Sequence, residues 1–104
     1  MITVPADRFS IDGNDVVVAT GEIDIYSAPK LWEALSLVIE RGRRDLVLDM
    51  AGVEFMDSQG IAVIVRALKH VRPIGGTVIV RSPRAQACTV LEISGLAALI
   101  QIEE

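Results

Sequence analysis

Residues Leu46–Val71 read LVLDMAGVEFMDSQGIAVIVRALKHV, and the change of pattern inside this stretch decides the fold. Leu46-Val47-Leu48-Asp49-Met50 has few polar residues, as expected of a strand covered on both faces. Ile61, Ile64, Val65, Leu68 and Val71 then recur at helical spacing, which predicts a helix over 59–71. Pro73 and Gly75-Gly76 end it. Between strand and helix lies Asp57-Ser58-Gln59-Gly60: an acid, a hydroxyl, an amide and a glycine between apolar runs.

The flanking chain repeats this alternation. Phe9–Ile11 and Val16–Ala19 read as two strands joined by Asp12-Gly13-Asn14-Asp15, a composition that favours a tight reversal. Ser27 is a helix cap with Pro29 in the first turn, where its missing N–H has no partner to lose. Leu31, Ala34, Leu35 and Val38 form the apolar stripe of a helix over 28–41, which Gly42 stops. Thr77–Val80 is the next strand. Ser82 reads as a cap with Pro83 at the first helical position. The third helix turns Ala87, Val90 and Leu91 inward and stops near Gly95, and Leu99–Ile102 is a last strand. The order β-β-α-β-α-β-α-β predicts one α/β domain over residues 1–104. It is a sandwich with a mixed, mostly parallel sheet of about five strands and three main helices, joined by right-handed crossovers.

Composition narrows the function. A chain of 104 residues split in two would leave each half a marginal core. Only four residues are aromatic, so Val, Ile, Leu and Ala must fill the interior. The net charge of -4 lacks the basic excess of a generic nucleic-acid binder. Arg41-Gly42-Arg43-Arg44, with Asp45 beside it, reads as a solvated helix end near the negative pole of the helix dipole. The single cysteine, Cys88, excludes an internal disulfide and suits a reducing compartment. The first residues lack a signal-peptide pattern, and no apolar run approaches the ~20 residues that span a bilayer. A soluble cytoplasmic protein is expected, with no direct nucleic-acid or membrane partner.

Catalysis finds no support. No glycine stands two residues before Ser58, so the nucleophile-elbow pattern is missing. The one histidine, His70, falls at the far end of the predicted helix, about 15–18 Å from Ser58 at 1.5 Å per residue. No His, Cys and carboxylate set has metal spacing and no Gly-rich phosphate loop appears, so no metal or cofactor is expected. A binding protein, not an enzyme, is the reading.

The Asp57–Gly60 loop nevertheless carries chemistry. Strand-to-helix loops lie at the carboxyl ends of strands, where α/β sheets form their sites. A helix start offers free N–H groups and a partial positive charge to an anion. A phosphate on Ser58 adds about -1.5 to -2 charges, next to Asp57. A partner that had docked the neutral hydroxyl would then face a dianion to desolvate.

GEIDIYSAPKL (21–31), VEFMDSQGIAVIVRALKHV (53–71), GGTVIV (75–80) and LEISGL (91–96), taken in this order, resemble the STAS domain of bacterial anti-sigma factor antagonists. The most specific element is the Asp-Ser-x-Gly loop followed by an apolar residue. The resemblance implies a protein that binds an anti-sigma factor and so frees a sigma factor; the alternative is a STAS module of another phospho-switch, or of a stress-sensing or lipid-transport assembly, that does not act on a sigma factor. That anti-sigma factor is implied to be an ATP-using serine kinase that phosphorylates Ser58, with a PP2C-type phosphatase reversing the modification. A monomer or weak dimer is expected. Many family members carry a second Ser or Thr after the acceptor; Gln59 here leaves Ser58 as the only candidate. The other residues expected at the partner contact are Asp24, Asp57, Gln59, Gly60, Ile61 and Val63. Asp24 is expected beside the acceptor. Val63 is placed off the inward stripe and Ile61 near the exposed end of its helix, as an apolar contact around Ser58 or simply as part of a broad buried face. Gly60 allows close approach, either of a partner backbone or of the sheet. Trp32 reads as half-buried at its helix edge, His70 as a solvated helix end and Cys88 as buried filler.

Overall fold

The computed structural model describes residues 8–104, so residues 1–7 of the expected domain lie outside it. Its elements are β1 (Phe9–Ile11), β2 (Val17–Ile23), α1 (Ala28–Glu40), β3 (Leu46–Met56), α2 (Ser58–Val71), β4 (Val78–Arg81), α3 (Ala85–Ile93) and β5 (Gln101–Glu103). The five strands form one sheet in sequence order, β1-β2-β3-β4-β5. β1 is antiparallel to β2, and every later pair is parallel.

That order places the helices. Right-handed crossovers that always advance the same way lay their helices on one face of a sheet. Burial agrees: Leu46, Leu48 and Met50 of β3 are fully buried, while Val47 and Asp49 between them are only half-buried. Val17, Val78 and Val80 pair in register with these inward residues. The reading of a strand covered on both faces is therefore corrected; one face lies under helices and the other is partly open. Leu31, Leu35 and Val38 of α1, Ile64 and Leu68 of α2 and Leu91 of α3 pack on the covered face.

Three other expectations change. β3 continues through residues 51–56, beyond the 46–50 run read as the strand. It can do so because β2 is also longer than its apolar run suggested: Gly21 pairs with Val53, Glu22 with Phe55 and Ile23 with Met56. The third helix begins at Ala85 rather than at Pro83. The Ser82 N–H is taken by the Glu103 carbonyl at 2.6 Å, and Ser82 has a left-handed φ of 53°, so it ends the sheet instead of capping the helix. Finally, the inward stripe of α2 is Gly60, Val63, Ile64, Ala67, Leu68 and Val71. Ile61 and Val65 lie on its flank, half-buried.

The Asp12–Asp15 reversal forms as expected, with the Asp12 carboxylate accepting from the Asn14 and Val16 N–H groups. The arginine cluster is less free than the sequence suggested. Asp15 receives both Arg41, at 2.6 Å, and Arg43, at 3.0 Å, and so ties the hairpin to the end of α1. Among the described residues, no helix is long and apolar enough to cross a membrane.

Candidate functional site

Met56, the last residue of β3, is fully buried, and the chain turns straight from it into α2. Asp57 takes the cap: its backbone is extended and its Oδ1 accepts the Gln59 N–H at 2.8 Å. This settles which residue does the capping. Ser58 is the first helical residue, exposed to solvent, and its hydroxyl has no hydrogen-bond partner among the described residues. With Asp57 doing the capping, the Ser58 hydroxyl is left open to solvent, with the positive end of α2 behind it.

The β2–α1 loop stands next to it. The Asp57 N–H donates to the Ile23 carbonyl at 3.2 Å, so Asp24 follows directly on a residue bonded to the Ser58 loop. Asp24 Oδ1 accepts the Tyr26 N–H at 3.0 Å and the Ser27 N–H at 3.1 Å. The buried Ser27 hydroxyl donates to the Glu22 carbonyl at 2.8 Å and accepts the Asp24 N–H at 3.0 Å. Ser27 thus folds the loop back onto β2 and caps no N–H of α1 with its side chain. One Asp24 oxygen is used in building the turn, which lifts Ile25 and Tyr26 into solvent, 61% and 88% exposed. The sequence reading passed over these two; apolar residues directly after GEID, beyond the end of a strand, were the available signal.

Gly60 is buried, and the close approach that requires a glycine is made by the protein itself. A Cβ there would lie 2.5 Å from Met56 Cγ and 3.0 Å from Ile23 Cγ2. This is the sheet-packing alternative, so Gly60 offers no surface of its own. Val63 is also corrected: at 8% exposure it belongs to the core, with only its edge reaching the surface. Gln59 is exposed and Ile61 half-buried. Between α1 and α2 runs an open groove of about 390 Å³, with Ile25, Pro29 and Trp32 on one wall and Gln59, Ala62 and Arg66 on the other. Trp32 is half-buried, and Arg66 lies over its ring with the guanidinium carbon 4.0 Å from the ring centroid. The His70 ring packs against the same indole at 5.3 Å between centroids. His70 is thus exposed but not merely solvated. Cys88 is half-buried rather than fully buried, and burial still pushes its thiol up from the ordinary value.

Two carboxylates, Asp24 at the site and Asp15 in the β1–β2 hairpin, set the acid limit of the fold. The Ser27 N–H, helped by the Tyr26 N–H and the Ser27 hydroxyl and opposed by desolvation, holds the Asp24 carboxyl below its ordinary 3.8. Arg43 first and Arg41 second do the same for Asp15. A carboxyl lowered by folding contributes stability that is complete above its ordinary value and is lost as pH falls through the lower folded one. The melting temperature should therefore hold level down to about pH 5 and fall below about pH 4. Asp15→Asn with Asp24→Asn should make that fall shallower in a melting series; an unchanged acid limb would remove these two groups as its cause.

The sequence matches the family model described as STAS domain over residues 10–104. This chain belongs to the STAS domain family. A curated relative, the anti-sigma-B factor antagonist of Bacillus subtilis (strain 168), is 38% identical over 90 residues, covering 86% of this chain and 82% of that protein. The unphosphorylated form of the anti-sigma factor antagonist SpoIIAA superposes with a TM-score of 0.79 at 19% identity, over 92% of this STAS domain and 88% of that chain. A Bacillus SpoIIAA solved in its phosphorylated form gives 0.66 at 20% identity, over 92% and 89%. These two likenesses establish the shared STAS fold: a five-stranded mixed sheet with three helices.

Proposed function

We propose that this STAS domain is an anti-sigma factor antagonist switched by phosphorylation of Ser58. Unphosphorylated, it binds a serine-kinase anti-sigma factor and releases the sigma factor. The kinase transfers the γ-phosphoryl group of its ATP to Ser58 Oγ, which ends the association, and a PP2C-type phosphatase restores the hydroxyl. The relative from B. subtilis, named an anti-sigma-B factor antagonist, supports the partner class. The observation that carries the switch is the exposed Ser58 hydroxyl, without a hydrogen-bond partner among the described residues, at the first position of α2 beside an acidic cap.

The expected contact surface surrounds that hydroxyl. Asp57, Gln59 and Ile61 continue it along α2, Asp24 flanks it, and Ile25 and Tyr26 supply exposed apolar area. The groove between α1 and α2 begins at Gln59 and offers a partner a partly apolar channel. Aromatic and arginine residues such as Tyr26 and Arg66 are the types that dominate interface energies. The chain then acts as a ligand and a substrate, and the ATP site belongs to its partner.

Incubation with a cognate serine-kinase anti-sigma factor and ATP should add one phosphoryl group, mapped to Ser58 by mass spectrometry. The Ser58→Ala variant should remain unmodified. No mass increase in the wild type, with a kinase active on another substrate, would overturn the proposed switch.

A further inference from the structure

β3 outruns its neighbour. β4 pairs only with Leu46–Asp49, whereas β3 continues to Met56. Beyond Asp49, no strand among the described residues lies on the β4 side of β3, and side chains from the start of α3 take its place. Arg84 Nε donates to the Ala51 carbonyl at 2.8 Å. At the end of the strand, the Gln86 amide engages Met56 twice: the Met56 N–H donates to Gln86 Oε1 at 2.8 Å, and Gln86 Nε2 donates to the Met56 carbonyl at 2.9 Å. A primary amide has the donor and acceptor of a peptide group, so Gln86 stands in for a strand residue at this one point. Only one orientation of the amide satisfies both bonds.

The consequence lies two residues further on. A single hydrogen bond would let the Met56 backbone pivot, whereas two parallel bonds fix its position and its rotation. On the opposite side the next N–H, that of Asp57, is held by Ile23 of β2 at 3.2 Å. The strand exit is therefore clamped between β2 and α3 immediately before the cap and Ser58. Phosphoryl transfer depends on holding the attacking oxygen in line with the phosphorus, and a displacement of ~1 Å can cost 10²-fold in rate. We propose that Gln86 is a positioning residue for Ser58, placing its hydroxyl for the kinase without touching the kinase itself. This rests on the phosphorylation of Ser58 proposed above.

The test compares Gln86→Leu, which removes both bonds at similar size, with Gln86→Glu, which keeps the acceptor and loses the donor. Thr89→Ala serves as the control, since Thr89 bonds only within α3, to the Ala85 carbonyl. Steady-state phosphorylation by the cognate anti-sigma factor kinase and ATP is read together with hydrogen exchange at single amides of the free proteins. Gln86→Leu should lower kcat about 10-fold or more with KM little changed. It should also speed exchange at Met56, Asp57 and Gln59 while α3 stays protected. Gln86→Glu should fall between Gln86→Leu and the wild type, and Thr89→Ala should match the wild type. Wild-type kcat in Gln86→Leu would overturn the proposal, and so would a loss of protection throughout α3 that accompanied the fall in rate. A wild type left unmodified by an active kinase would instead overturn the Ser58 switch and the positioning claim with it. That outcome is distinguishable because it appears before any substitution is made.

Discussion

Ser58→Glu is expected to bind a serine-kinase anti-sigma factor at least ~10²-fold more weakly than the unmodified protein, a loss of about 2.7 kcal/mol. Ser58→Ala should bind within a few fold of wild type. The carboxylate brings a full charge to a hydroxyl that the proposed contact covers. Leaving a charge buried and unpaired costs several kcal/mol, more than losing a neutral hydrogen bond. The phosphate proposed for Ser58 carries about -1.5 to -2 charges and should act more strongly than the substitution. The same change should not harm the fold. Ser58 is exposed at the first position of α2, where a negative group gains about 0.3–1 kcal/mol from the helix dipole. A melting temperature equal to or above wild type, alongside weakened binding in calorimetry, is the expected pair of results. Retained affinity in Ser58→Glu would place the docking face elsewhere.

The largest effect on folding is expected at the Gly75-Gly76 step, which follows the single 3-10 turn after α2. Gly76 lies against Arg44, in the turn just before β3: its N–H donates to the Val71 carbonyl at 2.8 Å, and an added Cβ would overlap the Arg44 carbonyl, 2.6 Å from its carbon. That obstacle is backbone, and the neighbouring Thr77 carbonyl and N–H are bound to Leu46 N and Asp45 Oδ1, so neither side can move freely. Gly76→Ala should cost about 3 kcal/mol, at the upper end of ordinary overpacking. In a domain of this size that lowers the melting temperature by more than ~10 °C. Gly75 is the contrast. It has φ of 83° and open space around it, so Gly75→Ala pays only left-handed strain, about 1 kcal/mol. Denaturant titration of the two variants tests the order; a milder Gly76→Ala would mean that this junction yields.

Where the sequence was legible, the reason is local. The apolar stripe of α1 and the run of Leu46–Met50 each obey a single period, and the Asp12–Asp15 reversal carries its own chemistry. Ser58 stood out because a hydroxyl between an acid and a glycine interrupts two apolar runs. What remained hidden depends on partners distant in the chain. Residues 51–56 are strand because β2 pairs with them, and no pattern within Ala51-Gly52-Val53-Glu54 says so. Ser82 looks like a cap until Glu103, 21 residues later, takes its N–H. The inward stripe of α2 is turned by one position from the simplest apolar count, since Gly60 lets the first turn sit down on Met56 and brings Val63 inward. Gln86 gave no signal at all, because its meaning lies in the unequal lengths of β3 and β4.

The two outermost strands, β1 and β5, are each three residues long. β5 ends in Glu103, which pairs with Arg81 at 3.3 Å. Such margins leave few open main-chain groups onto which a second copy could zip, and they place charge where growth into a fibre would begin. Under the proposed switch, this suits a protein that must let go as readily as it grips. The contact proposed around Ser58 lies at one end of the fold, and such short, charged edges give crowded copies little means of pairing elsewhere.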